Sequence, residues 1–155
     1  MIGTVALRVY STNLSEVKKG SVYWKHKGKG SIGTVIVKSP VRLTEGCYVL
    51  SGKMEPGGIF TVETYRSASA DSVKYVNSFF LSGTVKGIYP FRKFFRLHVE
   101  ENGAVWPVDF NWIEGVEVGS SILVHGYLSR TKRELVLKAT FAEFSLKTIG
   151  IGEQS

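Results

Sequence analysis

Ten short runs in which apolar residues recur at every second position set the limits on this fold. They fall at about 3–10, 21–27, 32–38, 46–54, 59–66, 79–88, 91–99, 104–110, 120–128 and 134–144, and they are rich in Val, Ile, Tyr and Phe. A period of two places alternate side chains on opposite faces of an extended chain, so each run reads as a strand with one buried and one wet face. Glycine or polar clusters separate the runs: "GKG" at 28–30, "PGG" at 56–58, "ENG" at 101–103 and "SRTKRE" at 129–134. Asn102-Gly103 is the strongest hairpin signal, because both residues accept a positive φ. The expected class is all-β.

The segment 67–78, "SASADSVKYVNS", breaks the pattern. It is small and polar, has room for a short helical turn, and reads as a linker. Five runs precede it and five follow, and the halves match weakly in order. "GTV" at 3–5 answers "GTV" at 83–85, His26 answers His98, and "GCYVLSGKM" at 46–54 answers "SSILVHGYL" at 120–128, with Gly52 opposite Gly126. The first half differs by a longer loop, "STNLSEVKKG". Residues 1–66 and 79–146 therefore read as tandem five-stranded Greek-key barrels, and 147–155 as a short tail. An internal glycine in the first and fourth strands permits the bending that a small barrel needs.

The second half resembles the OB-fold of single-stranded DNA-binding proteins. "FLSGTVKGIY" corresponds to strand one, "KFFRLHVEENGAVWPVDFNW" to the hairpin of strands two and three, and "VGSSILVHGYL" to strand four. "TEGCYVLSGKM" carries a fainter version in the first half. The resemblance implies binding of single-stranded DNA ahead of RNA, in replication, repair or recombination. Bacterial members end in a long tail with an acidic, aromatic tip that recruits partners. "TIGIGEQS" here has one acid and no aromatic, so that route is not expected.

Formal net charge is +7 over 155 residues, which favours anionic partners, nucleic acid first. The stretch "YPFRKFFRLHVEENGAVWPVDFNW", 89–112, threads cations and rings together. Alternation separates them into two faces. Phe91, Lys93, Phe95, Leu97 and Val99 share one, with Phe95, Leu97 and Val99 expected in the core. Arg92, Phe94, Arg96 and His98 share the other. An outward Phe94 between two guanidinium groups suits a single strand, with a base on the ring and phosphates on the cations. Packing of Phe94 under a loop or a partner subunit is the alternative reading. Tyr127 is a second stacking candidate beside His125, while Ile122, Val124 and Leu128 point inward, and Lys86 adds a cation. Trp106, in phase with Val108 and Phe110, belongs to the core. On the matching strand "SVYWKHKGKG" two faces compete. The order match sets Trp24 beside Arg96 and His26 beside His98, which turns Trp24 outward. Polarity turns Tyr23, Lys25 and Lys27 outward. Both sets remain candidates.

No catalytic or metal-binding constellation is legible. His26, His98 and His125 lack metal spacing, "GKGSIG" lacks the spacing of a phosphate loop, and no serine sits in a nucleophile elbow. The expectation is a non-enzyme without cofactor or metal. The lone Cys47 excludes an intramolecular disulfide and reads as a small buried hydrophobe. The start of the chain has no signal-peptide pattern, and no run approaches the ~18 apolar residues of a membrane helix, so a cytoplasm-like compartment is expected without membrane contact. Two rival functions stand beside single-strand binding. One is a protein-interaction or assembly module, pairing with a second copy or with replication proteins. The other is a structured-RNA binder.

Overall fold

The computed structural model describes residues 1–111 and 115–145. Strands β1 (Ile2–Val9), β2 (Ser15–Lys18), β3 (Ser21–Gly30), β4 (Gly33–Ser39), β5 (Gly46–Glu55) and β6 (Ile59–Ser67) precede helix α1 (Ser72–Tyr75). Strands β7 (Asn77–Pro90), β8 (Phe95–Glu101), β9 (Ala104–Phe110), β10 (Ser121–Arg130) and β11 (Leu135–Ser145) follow it. The protein is all-β apart from that one helical turn. Asn102 (φ 50°) and Gly103 (φ 82°) make the tight β8–β9 turn that their sequence predicts.

The strands close on themselves. β7 pairs with β8, β8 with β9, β9 in parallel with β11, β11 with β10, and β10 returns to β7. The result is a closed five-stranded barrel. The remaining strands follow the same rule of pairing: β1–β3, β3–β4, parallel β4–β6, β6–β5 and β5–β1. Closure leaves few open edges, which matters for a chain so rich in strand. β1 and β7 then pair antiparallel, Ile2 with Phe80 through Val5 with Asn77, and this joins everything into one sheet.

Two glycines explain how strand four of each circuit bends. Both Gly52 and Gly126 lie at a register shift, where the ladder gains an extra residue on the neighbouring strand. A Cβ on Gly52 would stand 2.0 Å from the Thr61 carbonyl oxygen, and one on Gly126 2.0 Å from that of Lys138. Only glycine lets those backbones approach so closely.

The core is continuous across the junction. It includes Leu7, Leu50, Met54 and Phe60 from the first circuit and Phe79, Leu97, Trp106 and Leu128 from the second. Phe79 meets Phe60 edge-on, with ring centroids 6.4 Å apart. Polar ties reinforce the joint: the Arg130 guanidinium donates to the carbonyls of Ile32 and Thr34, both at 2.9 Å. Of the segment 67–78 read as a linker, Ser67 closes β6, Ser72–Tyr75 form α1, and Asn77 and Ser78 open β7. Asn77 also exchanges two side-chain hydrogen bonds with the backbone of Leu128.

Four expectations need correction. "STNLSEVKKG" is not a plain loop but contains β2, an edge strand paired to β3. The "GTV" pairs are not equivalent: Gly3 pairs with Gly52, but the residue pairing with Gly126 is Phe79, so Gly83 lies four positions too late. The strand expected from Phe91 starts only at Phe95, because the Phe91 N–H donates to the Phe94 carbonyl across a tight loop. Cys47 is half-buried rather than fully buried. The tail 147–155 lies outside the described residues.

Candidate nucleic-acid interface

Strand pairing lines up one row of outward side chains around the second circuit. Tyr127 on β10 stands beside Lys138 on β11, Lys138 beside Asp109 on β9, Asp109 beside Arg96 on β8, and Arg96 beside Tyr89 on β7. These residues are scattered over the sequence, and only the barrel makes them neighbours. The row is dominated by an ion-pair triad. Arg96 donates to both Asp109 oxygens, at 2.7 and 3.0 Å, and the Lys138 ammonium donates to Oδ2 at 2.6 Å. Arg96 also reaches Glu134 at 3.4 Å. Asp109 is 5 % exposed. Burial pushes its pKa up, but the hydrogen bonds from Arg96 and Lys138 outweigh this and hold it below the usual carboxylate value.

A depressed folded-state pKa means that Asp109 contributes stability above its unfolded pKa, and that this contribution is lost as pH falls through the folded value. Asp109→Asn is expected to cost about 1–3 kcal/mol near neutral pH, by leaving Arg96 and Lys138 without their acceptor. The deficit should shrink as the reference protein is acidified. Denaturant midpoints across the acid range check this, and a deficit independent of pH would contradict it.

Beside the triad the tight loop stacks two rings. Phe91 and Phe94 lie 4.8 Å apart and within 8° of parallel. The Arg96 guanidinium sits 5.5 Å from the Phe91 centroid and 5.7 Å from that of Phe94, and the Lys138 ammonium 5.5 Å from that of Phe94. Each is a cation–π contact. Phe91 is 49 % exposed, whereas Phe94 is half-buried behind it. Lys93, Phe94, Asp109, Tyr127 and Lys138 line one shallow cleft. A flat exposed ring, a second aromatic across a cleft and cations at the rim form a platform on which a nucleobase can stack while its phosphates find charge.

The other candidates of the second half divide. Arg92 is exposed on the loop. Lys86 is exposed but lies 3.5 Å from Glu100. His98 packs against Tyr89, with rings 4.7 Å apart. Arg96 faces outward as alternation requires, yet Asp109 already occupies its fork. Phe95, Leu97 and Val99 point inward, although Phe95 is only partly buried. Sequence reasoning missed Phe91, Lys138 and Asp109. Phe91 was assigned to the inner face by an alternation that the tight loop interrupts.

In the first circuit the competition between faces is resolved. From the bulge at Gly52 the same steps lead through Lys53, Thr61 and Lys38 to Lys25. Lys25 therefore takes the position of Arg96, Tyr23 that of Phe94 and Lys27 that of His98. Trp24 and His26 match Phe95 and Leu97, so the order match that set Trp24 beside Arg96 is off by one residue. The outward face is Tyr23, Lys25 and Lys27. His26 is 1 % exposed, donates from Nδ1 to the Tyr10 carbonyl at 2.8 Å and accepts the Leu43 N–H at Nε2 at 3.1 Å. Both ring nitrogens are used in holding two loops to the barrel. Trp24 is half-buried under Arg42, whose guanidinium lies 5.2 Å from the ring.

Among the described residues no three His, Cys, Asp or Glu side chains are placed to hold a metal, and no helix is long and apolar enough to cross a membrane.

No family model matches the chain, and no curated protein matches it in sequence. Solved structures do match. The wild-type single-stranded DNA-binding protein of Thermus aquaticus is 11 % identical, with a TM-score of 0.66 over 94 % of this chain and 93 % of its own. A deletion mutant of that protein is 11 % identical, with a TM-score of 0.61 over 96 % of each chain. The Stn1–Ten1 complex of S. pombe is 19 % identical over 45 % of this chain, which spans 59 % of the matched chain's length, at a TM-score of 0.42. At these identities the likeness bears on the fold, and the two Thermus structures carry it: the closed five-stranded barrel here is the OB-fold barrel found in single-stranded DNA-binding proteins.

Proposed function

We propose that this chain binds single-stranded nucleic acid with little regard to sequence, DNA ahead of RNA, and does so without catalysis. The observation that carries this reading is the exposed Phe91–Phe94 stack facing Tyr127 across a cleft, with Arg92, Lys93 and Lys138 around it. Stacking is tolerant of sequence because every base has a π-face, and the net charge of +7 adds attraction to any phosphate backbone. The reading takes the two strand circuits as tandem Greek-key units, 1–66 and 79–146 around 67–78. The matching bulges at Gly52 and Gly126 and the matching positions of Tyr23 and Phe94 support that division. A role in replication, repair or recombination inside the cytoplasm, beside other proteins of those processes, follows from the resemblance.

Titration of tryptophan fluorescence with single-stranded DNA, single-stranded RNA and duplex tests the proposal, since half-buried Trp24 lies next to the basic face. Single strands are expected to bind best, with log K falling against log[salt] at a slope of about −0.7 per neutralised phosphate. Preference for duplex, or binding indifferent to salt, overturns it and favours the structured-RNA rival.

One observation favours an assembly role as well. Ile2 (59 % exposed), Phe80 (46 %), Leu123 (40 %) and Phe141 (57 %) adjoin on the outer face where β1, β7, β10 and β11 run side by side. The matching positions in the first circuit are polar: Thr4 for Phe80 and Thr64 for Phe141. The fold does not require apolar residues there, and a contiguous patch of this kind marks an interface. Lys53 borders it at Ile2 and Glu143 at Leu123, so a second copy turned by a two-fold axis brings opposite charges together. Sedimentation of the free protein separates this role from binding by a monomer.

A further inference from the structure

Each circuit holds a carboxylate between two cations on its outward face, beneath the position of the stacking ring, but the acids come from different places. In the second circuit Asp109 belongs to the barrel wall and is buried. In the first the matching wall position is Lys38, next to Lys25, and the acid is delivered from outside by β2. Glu16 Oε1 lies 2.6 Å from the Lys38 ammonium, and Oε2 lies 3.9 Å from that of Lys25. The hydrogen bond from Lys38 is the largest influence on Glu16 and holds its carboxyl below the ordinary value, so it is a full negative charge at neutral pH.

β2 is weakly attached. It is four residues long, lies at the open edge of the sheet and pairs with β3 alone. Its neighbours Leu14 (68 % exposed) and Val17 (72 %) bury little. Glu16 is its one partly buried side chain. A tight turn at Lys19 (φ 50°) and Gly20 (φ 78°) hinges it to β3. Between β2 and the barrel opens a cleft of about 370 Å³ lined by Lys18, Lys19, Tyr23, Lys38 and Thr61 with Glu16. Few buried apolar contacts and an exposed ladder are the marks of a segment that opens at low cost.

We propose that Glu16 stands in for a backbone phosphate in the first circuit, and that β2 is a strap which an entering single strand displaces to bind Lys25, Lys38 and Tyr23. The ligand is a nucleic-acid phosphodiester, and the inference rests on the single-strand reading above. The strap keeps the first site from competing for mobile anions, and it leaves the second circuit, whose carboxylate is locked into the wall, as the site that binds first.

Glu16→Gln keeps the size of the side chain and removes the competing charge. Affinity for a single-stranded oligothymidylate of about 12 nucleotides, a length within the range of one barrel, is expected to rise. The rise should be about two- to tenfold, with a salt slope steeper by about 0.7 for each phosphate newly bound. Adding Lys38→Gln should abolish the gain. In the wild-type protein the oligonucleotide should speed hydrogen exchange of the β2 backbone amides. Equal or weaker binding by Glu16→Gln, a gain that survives Lys38→Gln, or β2 amides that become more protected in the complex each overturn the strap while leaving single-strand binding intact. If neither wild type nor Glu16→Gln binds the oligonucleotide, the strap and the single-strand reading fall together. Binding by Glu16→Gln alone supports the strap.

Discussion

Replacing Phe79 by alanine is expected to cost about 3–5 kcal/mol of stability, the range for truncating a buried phenylalanine. Phe79 is fully buried and pairs on one side with Gly3 and on the other with Gly126. Its ring fills space that Gly3 leaves open, since a Cβ on Gly3 would lie 2.3 Å from the Phe79 ring. It also meets Phe60, so the cavity would open where the two circuits touch. The loss should therefore appear in both halves at once. Unfolding by denaturant, followed by circular dichroism and by tryptophan fluorescence, should show one transition moved to lower midpoint. A loss below about 1 kcal/mol would mean that the site collapses around the missing ring. Two separated transitions would mean that the shared core does not couple the circuits.

Phe91→Ala is expected to weaken single-strand binding by about 1–3 kcal/mol, the loss of one stacked base, with little change in folding. Half of Phe91 is in contact with water, so its removal uncovers less than a core ring would. Phe94→Ala should also weaken binding, since Phe94 backs the Phe91 ring, and it should cost somewhat more stability because it is partly buried. Phe91→Trp should retain affinity, as a larger flat surface in the same place. The measurement is the fluorescence titration at fixed salt, with melting as the control. If Phe91→Ala binds as well as the unchanged protein, the rings serve packing or assembly instead. Loss of affinity accompanied by loss of the fold would place Phe91 in the structure of the loop and not in the binding site.

The sequence by itself determined what depends on near neighbours along the chain. A strand's two faces follow from the local pleat, so alternation sufficed to put Leu97, Val99, Trp106, Ile122 and Val124 in the core and Tyr127 outside. The Asn102-Gly103 turn was legible for the same reason, because its φ angles are a property of those two residues. Where the chain leaves the pleat, local reasoning fails. The turn at 91–94 reverses direction, carries Phe91 round to lie on Phe94, and so cancels a face assigned by counting in twos.

Tertiary structure alone decided how strands stand against one another, because register is fixed by a core assembled from the whole chain. That register made Tyr23, rather than Trp24, the counterpart of Phe94, and let His26 become a buried hydrogen-bonded tie. It also brought Asp109 and Lys138 to Arg96. An Arg96 read in isolation is a free cation awaiting a phosphate. In the folded barrel it is already neutralised, and pairing of that kind is invisible in a sequence, since Coulomb attraction acts through space over a few ångströms and takes no account of separation along the chain.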